Sequence, residues 1–202
     1  MKLFLVGATG RTGKWILKTA LARGHQVTAL VREPVERLDI SDAGLEVISG
    51  DLETFEKLAD AVSGHDAIIS ALSTKAVDSG TMKLIAAAES AGVKRFVGIA
   101  GGGILQLDET RLRRDRPGYP EVFRKSSERH MAAWKALDTS SLEWTLICTP
   151  DLLDAPPTGK AKAREEYMPE GGNSVAAGDV ADFVLHQIEH GKFLRKRIGF
   201  TK

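Results

Sequence analysis

Three glycines near the start of the chain have the spacing that holds a phosphate group. Gly7, Gly10 and Gly13 follow an apolar run at residues 3–6 and precede a helical pattern at residues 11–22. The first permits a tight turn, the second lets the backbone approach a phosphate, and the third lets the helix pack closely on the strand. Because the free N–H groups of a helix start also attract anions, we predict a dinucleotide site here rather than a turn without a ligand. Its members are Gly7, Thr9, Gly10, Arg11, Thr12 and Gly13.

The polar residues after the second predicted strand bear on the choice of cofactor. An acidic residue there binds the ribose 2′-hydroxyl of NAD, whereas an arginine suits the 2′-phosphate of NADP, which a guanidinium grips with two hydrogen bonds. The first polar residue is Arg32, and Arg11 adds a second positive charge. Glu33 would serve the ribose instead if the strand ended one residue later, and Arg32 would then be an ordinary solvated charge. We expect NADP(H) as the preferred cofactor, with NAD(H) as the alternative.

Residues after the third and fourth predicted strands fit the adenosine half of such a cofactor. Asp51 can accept a hydrogen bond from an adenine amino group, with Leu52 against the ring. The other interpretation of Asp51 is the N-cap of the next helix. Ala71 and Leu72 leave room for adenosine across the strand end, and Ser73 offers a hydroxyl, although turns also favour serine.

The order of elements supplies the scaffold that brings these strand ends together. Strands are predicted at residues 2–6, 26–31, 45–49, 66–70, 94–100 and 143–148, with a last edge strand at 198–201. Helices are predicted at 11–22, 54–62, 81–91, 121–137 and 179–190, the last N-capped by Asp179. Continuously apolar strands that alternate with helices indicate a Rossmann-like, doubly wound α/β fold, with a mainly parallel sheet and helices on both faces. Ligands of such a sheet bind at the carboxyl ends of its strands.

Bulk properties limit the class of protein. The 202 residues, 43% hydrophobic and 27% charged, fit one domain over residues 1–202, in which about 151–178 and 191–202 form a small lobe over the cleft. A net charge of +1 gives no overall attraction to nucleic acid or membranes, and no apolar run approaches the ~20 residues of a membrane helix. The single cysteine, Cys148, excludes an intrachain disulfide. We expect a cytoplasmic protein whose partner is a small molecule, with no metal site.

Five short motifs occur along the chain in a fixed order. They are Gly7-Ala-Thr-Gly10-Arg-Thr-Gly13, Val31-Arg32, Gly50-Asp51-Leu52, Ala71-Leu72-Ser73-Thr74 and Gly178-Asp179-Val180-Ala181. Over essentially the whole chain this order resembles the atypical short-chain dehydrogenases, and within them the NAD(P)H-binding, NmrA-like group that includes flavin reductase / biliverdin-IXβ reductase. The resemblance implies an NADP-binding domain and, in the reductase members, hydride transfer to flavins, quinones or tetrapyrroles. The group also contains NADP sensors that catalyse no reaction.

The proton-transfer residues of the better-known short-chain dehydrogenases are incomplete here. Those enzymes use Tyr-x-x-x-Lys, in which the lysine lowers the tyrosine pKa. Tyr119 is the candidate donor, but Phe123 stands four residues on, and Lys125 comes too late to share its helical face. By the resemblance, Gly101 replaces a serine after the fifth strand. Gly101 and Gly102 either admit a flat substrate ring and offer N–H groups to it, or form a flexible connection.

His130 is the second candidate for proton transfer. It shares the inner face of the predicted helix 121–137 with apolar residues, and by the resemblance it matches a histidine of the biliverdin-reductase-like proteins. The alternative is a satisfied core histidine. The same resemblance places Pro150 in the nicotinamide pocket, beside substrate-side residues Asp151 and Leu152. Asp151 also suits a plain turn.

The loop at residues 101–120 is rich in arginine and is expected to border the cleft. Its four arginines are Arg111, Arg113, Arg114 and Arg116. An anionic substrate, such as a flavin phosphate or a propionate-bearing tetrapyrrole, would be attracted there, and a solvated loop is the alternative.

The expected function is therefore an NADPH-dependent reductase of a flat acceptor. A flavin takes hydride directly from a stacked nicotinamide, so an incomplete tyrosine–lysine pair weighs little against flavin or quinone reduction. The alternative function is a non-catalytic NADP(H)-binding redox sensor.

Overall fold

The computed structural model describes residues 1–32, 38 and 40–202. The strands are β1 (Lys2–Val6), β2 (Gln26–Val31), β3 (Leu45–Ser49), β4 (Ala67–Ser70), β5 (Arg95–Gly101), β6 (Glu143–Thr149), β7 (Asp151–Leu153), β8 (Lys162–Glu165), β9 (Ser174–Ala176) and β10 (Lys196–Thr201). The helices are α1 (Arg11–Ala22), α2 (Leu58–Val62), α3 (Val77–Ala91), α4 (Arg124–Thr139) and α5 (Ala177–His190).

Eight of these strands form one sheet in the order β3-β2-β1-β4-β5-β6-β10-β8. All neighbours pair in parallel except β8, which runs antiparallel to β10. The chain moves outward from β1 on one side to β2 and β3, and on the other to β4, β5 and β6. The order therefore reverses between β1 and β4, which is where such sheets bind their ligands.

Helices cover both faces of the sheet, because the strands present apolar side chains to each. On one face α2, α3 and α4 pack through Leu58, Leu84 and Leu137. On the other, α1 and α5 pack through residues such as Leu17 and Val184. The predicted doubly wound, mainly parallel α/β fold is confirmed.

Most element bounds agree with the sequence pattern, and the differences have local causes. The predicted helix 54–62 is confined to α2, because Asp51 organises a turn ahead of it: its carbonyl accepts the Thr54 N–H at 3.0 Å. Asp179 was expected to cap α5, but that helix starts two residues earlier with Ala176 as its N-cap. The Asp179 carboxylate instead accepts the Gly159 N–H at 2.8 Å and so holds the preceding loop.

The carboxyl-terminal strand differs from its expected place. Residues 198–201 were predicted to form an edge strand, but β10 lies between β6 and β8. Only β7 and β9, among the described residues, form a separate two-stranded sheet, beyond the carboxyl end of β6. Arg197 belongs to the charged run Arg195-Lys196-Arg197, which the sequence pattern predicts as a solvated turn, but it is only 3% exposed in the fold.

Candidate functional site

The glycine turn between β1 and α1 is built around two glycines that the fold itself requires. Gly7 has a φ of +81°, and a Cβ there would lie 2.3 Å from the Ala71 carbonyl oxygen at the end of β4. A Cβ on Gly13 would lie 2.0 Å from the Gly7 carbonyl oxygen. The backbones of β1, α1 and β4 therefore approach one another more closely than any side chain allows.

Gly10 differs from these two, because the backbone does not require a glycine there. Its φ of −76° and ψ of 167° are open to any residue. An added Cβ would meet the Gly7 carbonyl oxygen at 3.2 Å, a tight contact but not an impossible one. Gly10 is also the N-cap of α1, with no side chain to bond the first N–H groups and no acidic residue in the first turn. This helix start is left free for an anion, which is the chemistry that a pyrophosphate fits.

The side chains around this turn hold it in place. Arg11 donates from Nη1 to the Leu152 carbonyl oxygen at 2.6 Å. Trp15 donates from Nε1 to Asp154 at 2.8 Å. Leu152, predicted on the substrate side, is thus brought to the glycine turn, and Arg11 links that turn to β7. Thr9 is half-buried, and Thr12 is buried at the start of α1.

The residues predicted for adenosine lie at the carboxyl ends of neighbouring strands. Arg32 is exposed directly after β2. Leu52 and Leu72 meet over Gly80 of α3, where an added Cβ would lie 3.0 Å from Leu52 Cδ2 and 2.5 Å from Leu72 Cδ1. They form an apolar wall beside the ends of β3 and β4. Glu33 lies outside the described residues.

Three polar or small residues complete that region. The Asp51 carboxylate accepts the Glu53 N–H at 2.9 Å and caps a turn, while its side chain stays exposed. The Ser73 carbonyl accepts the Ala76 N–H at 2.9 Å. The Ser73 hydroxyl has no hydrogen-bond partner among the described residues. Ala71 donates its N–H to Val6 at 3.0 Å.

The end of β5 brings His130 to the position predicted for chemistry. A Cβ on Gly101 would lie 3.2 Å from His130 Cδ2 and 3.5 Å from Nε2. The absent side chain at Gly101 is thus what lets this ring reach the strand end. His130 is 7% exposed, and burial lowers its pKa from an ordinary value of 6.5 to about 4. The ring is therefore neutral at pH 7, and its buried Nδ1 has no hydrogen-bond partner among the described residues.

Tyr119 also lies at this strand end, although the sequence pattern alone favours a loop role for it. Its hydroxyl is 2.6 Å from Ser127 Oγ. Both atoms crowd Gly103, where a Cβ would lie 2.5 Å from the tyrosine oxygen and 2.3 Å from the serine oxygen. Ser127 and His130 are both buried on α4, and Ser127 was missed because only the folded loop brings Tyr119 to it. Phe123, four residues after Tyr119, is 49% exposed.

The three consecutive glycines Gly101, Gly102 and Gly103 are well packed and do not form a flexible connection. Residues Gly102–Ile104 form a 3-10 turn directly after β5. A Cβ on Gly102 would lie 2.6 Å from the methyl carbon of Met168 and 3.3 Å from the Thr149 carbonyl oxygen. A glycine at position 102 therefore permits this close packing of Met168 and Thr149 against the turn.

An ion pair between the buried Arg197 and the half-buried Glu166 holds this turn in place. Arg197 donates from Nε to Glu166 Oε2 at 2.8 Å and from Nη1 to the Ile104 carbonyl oxygen. Its guanidinium also lies 3.7 Å from the centroid of the Trp134 ring on α4. The end of β5, the inner helix α4 and strand β10 are thereby held together, a role that the sequence pattern does not reveal.

The predicted residues after β6 lie beside this turn. Pro150 is half-buried between β6 and β7. Asp151 is exposed and donates its N–H to Asn173 at 3.3 Å. Cys148 is fully buried, and burial raises the pKa of its thiol, so it stays protonated as a core residue.

A separate cavity of about 350 Å³ lies at the amino ends of the strands. Lys2, Thr28, Glu46 and His65 are among its lining residues. It opens at the edge of the sheet opposite the glycine turn, so it is not the cofactor site. In the described part of the chain, no helix has the length and apolar character needed to cross a membrane.

Comparisons with known proteins agree with this geometry. A Bacillus subtilis protein named as an "uncharacterized sugar epimerase" is 30% identical over 201 residues, which cover 94% of this chain and 88% of the relative. The structure of an oxidoreductase from Lactococcus lactis aligns with a TM-score of 0.85 at 27% identity, over 100% of this chain and 91% of that one. A Streptococcus pneumoniae "putative NADH-flavin reductase" aligns with a TM-score of 0.84 at 26% identity, over 100% and 99%.

The family match covers most of the chain. A family model described as NAD(P)H-binding matches residues 7–191, from the first glycine of the turn to the end of α5. The predicted resemblance is confirmed, and the cofactor is a nicotinamide dinucleotide. This chain belongs to the NAD(P)H-binding family.

Proposed function

We propose that this protein is an NADPH-dependent reductase that transfers hydride to a flat acceptor such as a flavin, a quinone or a tetrapyrrole. The observation that carries the proposal is the end of β5, where glycine at position 101 places the neutral His130 ring against the strand end. An S. pneumoniae protein named as a "putative NADH-flavin reductase" has the same architecture.

The residues present fit the cofactor. The uncapped start of α1 receives the pyrophosphate, and Gly10 leaves the space through which it approaches. Arg32 binds the 2′-phosphate, while Leu52 and Leu72 form the apolar wall beside adenine. When bound, the nicotinamide supplies the hydride. The ends of β5 and β6, one and two strands beyond β4 in the sheet, would hold the nicotinamide.

The chain's own groups orient the acceptor through hydrogen bonds. His130 Nε2 lies 3.5 Å from the position that a Cβ on Gly101 would take, at the carboxyl end of β5. Because the His130 ring is a neutral imidazole, it can donate a hydrogen bond to an oxygen or nitrogen atom of the hydride acceptor and remain uncharged. The Tyr119–Ser127 hydroxyl pair offers a second donor at Gly103, two residues after Gly101. Water supplies the proton where the acceptor is a flavin or quinone that takes hydride directly.

A turnover assay tests the proposal against the alternative function. Purified protein is mixed with NADPH and, in turn, FMN, a small quinone and biliverdin, while the NADPH absorbance is followed. We expect protein-dependent oxidation of NADPH with at least one of these acceptors. Tight NADP(H) binding with no oxidation across the panel would contradict the reductase and support a non-catalytic redox sensor, the function that the incomplete Tyr119–Phe123 pair favours.

Arg32→Ala tests the cofactor preference. A guanidinium that holds the 2′-phosphate through charge-assisted hydrogen bonds contributes about 1.5–3 kcal/mol, or roughly ten- to a hundredfold in affinity. We expect the substitution to weaken NADPH binding by that factor and NADH binding less than twofold, measured by titration calorimetry. Equal losses for the two cofactors would show that Arg32 does not read the 2′-phosphate.

A further inference from the structure

The arginines that follow β5 divide into two paired and two unpaired side chains. Arg111 donates from Nη2 to Asp108 Oδ2 at 2.6 Å. Arg114 reaches the Glu128 carboxylate at 3.4 Å. These two charges are thus paired, one with a carboxylate of the loop and one with a carboxylate of α4. Arg113 and Arg116, in contrast, have no carboxylate oxygen within 4.0 Å in the part of the chain that the structure describes.

The two unpaired arginines lie beside the candidate substrate cleft. The Arg113 N–H donates to the Leu105 carbonyl at 2.8 Å, which holds it against the glycine turn after β5. The Arg116 guanidinium lies 6.0 Å from the centroid of the Tyr119 ring, whose hydroxyl reaches the same turn. The Arg116 guanidinium therefore lies beside the tyrosine ring, and the Arg113 guanidinium is near enough to both side chains to interact with them electrostatically.

Arg113 is held in an environment that disfavours its own charge. It is partly buried, and burial lowers the pKa of its guanidinium, with the nearby charge of Arg116 lowering it further. A partly desolvated guanidinium without a carboxylate partner is stabilised when a bound anion supplies the missing charge. Together with the exposed Arg116, which also lacks a carboxylate partner among the described residues, it offers two guanidinium groups to the several oxygens of a phosphate or a carboxylate.

We propose that Arg113 and Arg116 form an anion subsite that binds the phosphate or carboxylate on the flexible tail of the flat acceptor. This proposal rests on the proposed function and narrows its substrate class to acceptors with an anionic tail. The ring of the acceptor lies over residues 101–103 near His130, and its tail passes Tyr119 to reach the two arginines. FMN carries such a phosphate and riboflavin does not. Biliverdin carries two charged propionates, which are neutral esters in its dimethyl ester.

The test compares the binding of these paired ligands. Quenching of flavin fluorescence in the presence of NADP+ gives the Kd of FMN and of riboflavin for the natural protein and for the double variant Arg113→Gln/Arg116→Gln. We expect the natural protein to bind FMN about tenfold or more tighter than riboflavin, as charge-assisted hydrogen bonds imply. In the double variant FMN loses its phosphate contact while the riboflavin affinity is unchanged, so the two Kd values should agree within about twofold.

Arg124→Gln is the matched control, since this exposed arginine is close in the chain but already paired with Glu121 at 2.6 Å. It should retain the full preference for FMN. Biliverdin and its dimethyl ester, titrated in the same way, show whether the subsite also accepts a carboxylate.

Two results would overturn the subsite: equal or absent binding of FMN and riboflavin by the natural protein, or a preference for FMN that survives in the double variant. Their meaning is separate from that of the turnover assay. NADPH oxidation with equal affinity for both flavins would remove the subsite and leave the reductase. Preferential FMN binding without oxidation of NADPH would leave the subsite and remove the reductase.

Discussion

Gly10→Asp is expected to lower the affinity for NADPH by about a hundredfold or more, about 2.8 kcal/mol, while the protein stays as stable as before or becomes more stable. Gly10 has the extended backbone of an N-cap, and aspartate is among the residues that cap a helix best. Its carboxylate would bond the free N–H groups of α1 and repel the pyrophosphate that we place there. Calorimetric titration with NADPH and urea unfolding measure the two effects.

Two further variants separate the effect of the added charge from the effect of the added side chain and from steric overlap in the fold. Gly10→Asn caps the helix without a charge and should lose about tenfold in affinity, less than the aspartate variant. Gly13→Ala should instead destabilise the fold by about 2–3 kcal/mol, because its Cβ would lie 2.0 Å from the backbone oxygen of Gly7. NADPH binding by Gly10→Asp at the natural affinity would show that the helix start does not hold the cofactor.

Acidification is expected to destabilise the protein through His130. Its pKa falls from 6.5 in the unfolded chain to about 4 in the fold, so the unfolded state binds more protons between these values. Stability is therefore full above about pH 6.5 and falls as the pH drops toward 4. The shift corresponds to a loss of roughly 3 kcal/mol at the acid end of that window. Urea unfolding at pH 7 and at pH 4 measures it.

His130→Gln removes this titration and should lose less stability over the same pH range than the natural protein, by roughly that 3 kcal/mol. The exposed His190 on α5 provides the control, because His190→Gln should keep the full acid sensitivity. If the His130 variant loses as much stability as the natural protein, this histidine is not held neutral by burial.

The glycine turn and the first strands were predictable because their signals are local. The bounds of β1, α1, β2 and β3 agree with the sequence pattern, since apolar runs and helical spacing are written into consecutive residues. The short strands were missed for the opposite reason. All four residues of β8, Lys-Ala-Arg-Glu, are exposed, and β8 is a strand only because β10 lies beside it.

The far end of the site was less predictable, because its contacts join distant parts of the chain. Arg197 pairs with Glu166, 31 residues away, and stands in a charged run that suggests a solvated turn. Tyr119 meets Ser127 only after the loop ahead of α4 has folded back onto the end of β5. His130 is predictable from its place on the inner face of its helix, and that burial is confirmed.

The fate of the hydrogen at nicotinamide C4 tests the reductase most directly. NADPH labelled with deuterium on one face of C4 or on the other is oxidised by the protein with FMN as acceptor, and the NADP+ formed is weighed by mass spectrometry. We predict that NADP+ from one label keeps its deuterium and NADP+ from the other loses it, because the cleft presents a single face of the ring. NADPH that is not consumed, or labels that are lost without regard to face, would contradict hydride transfer in this site.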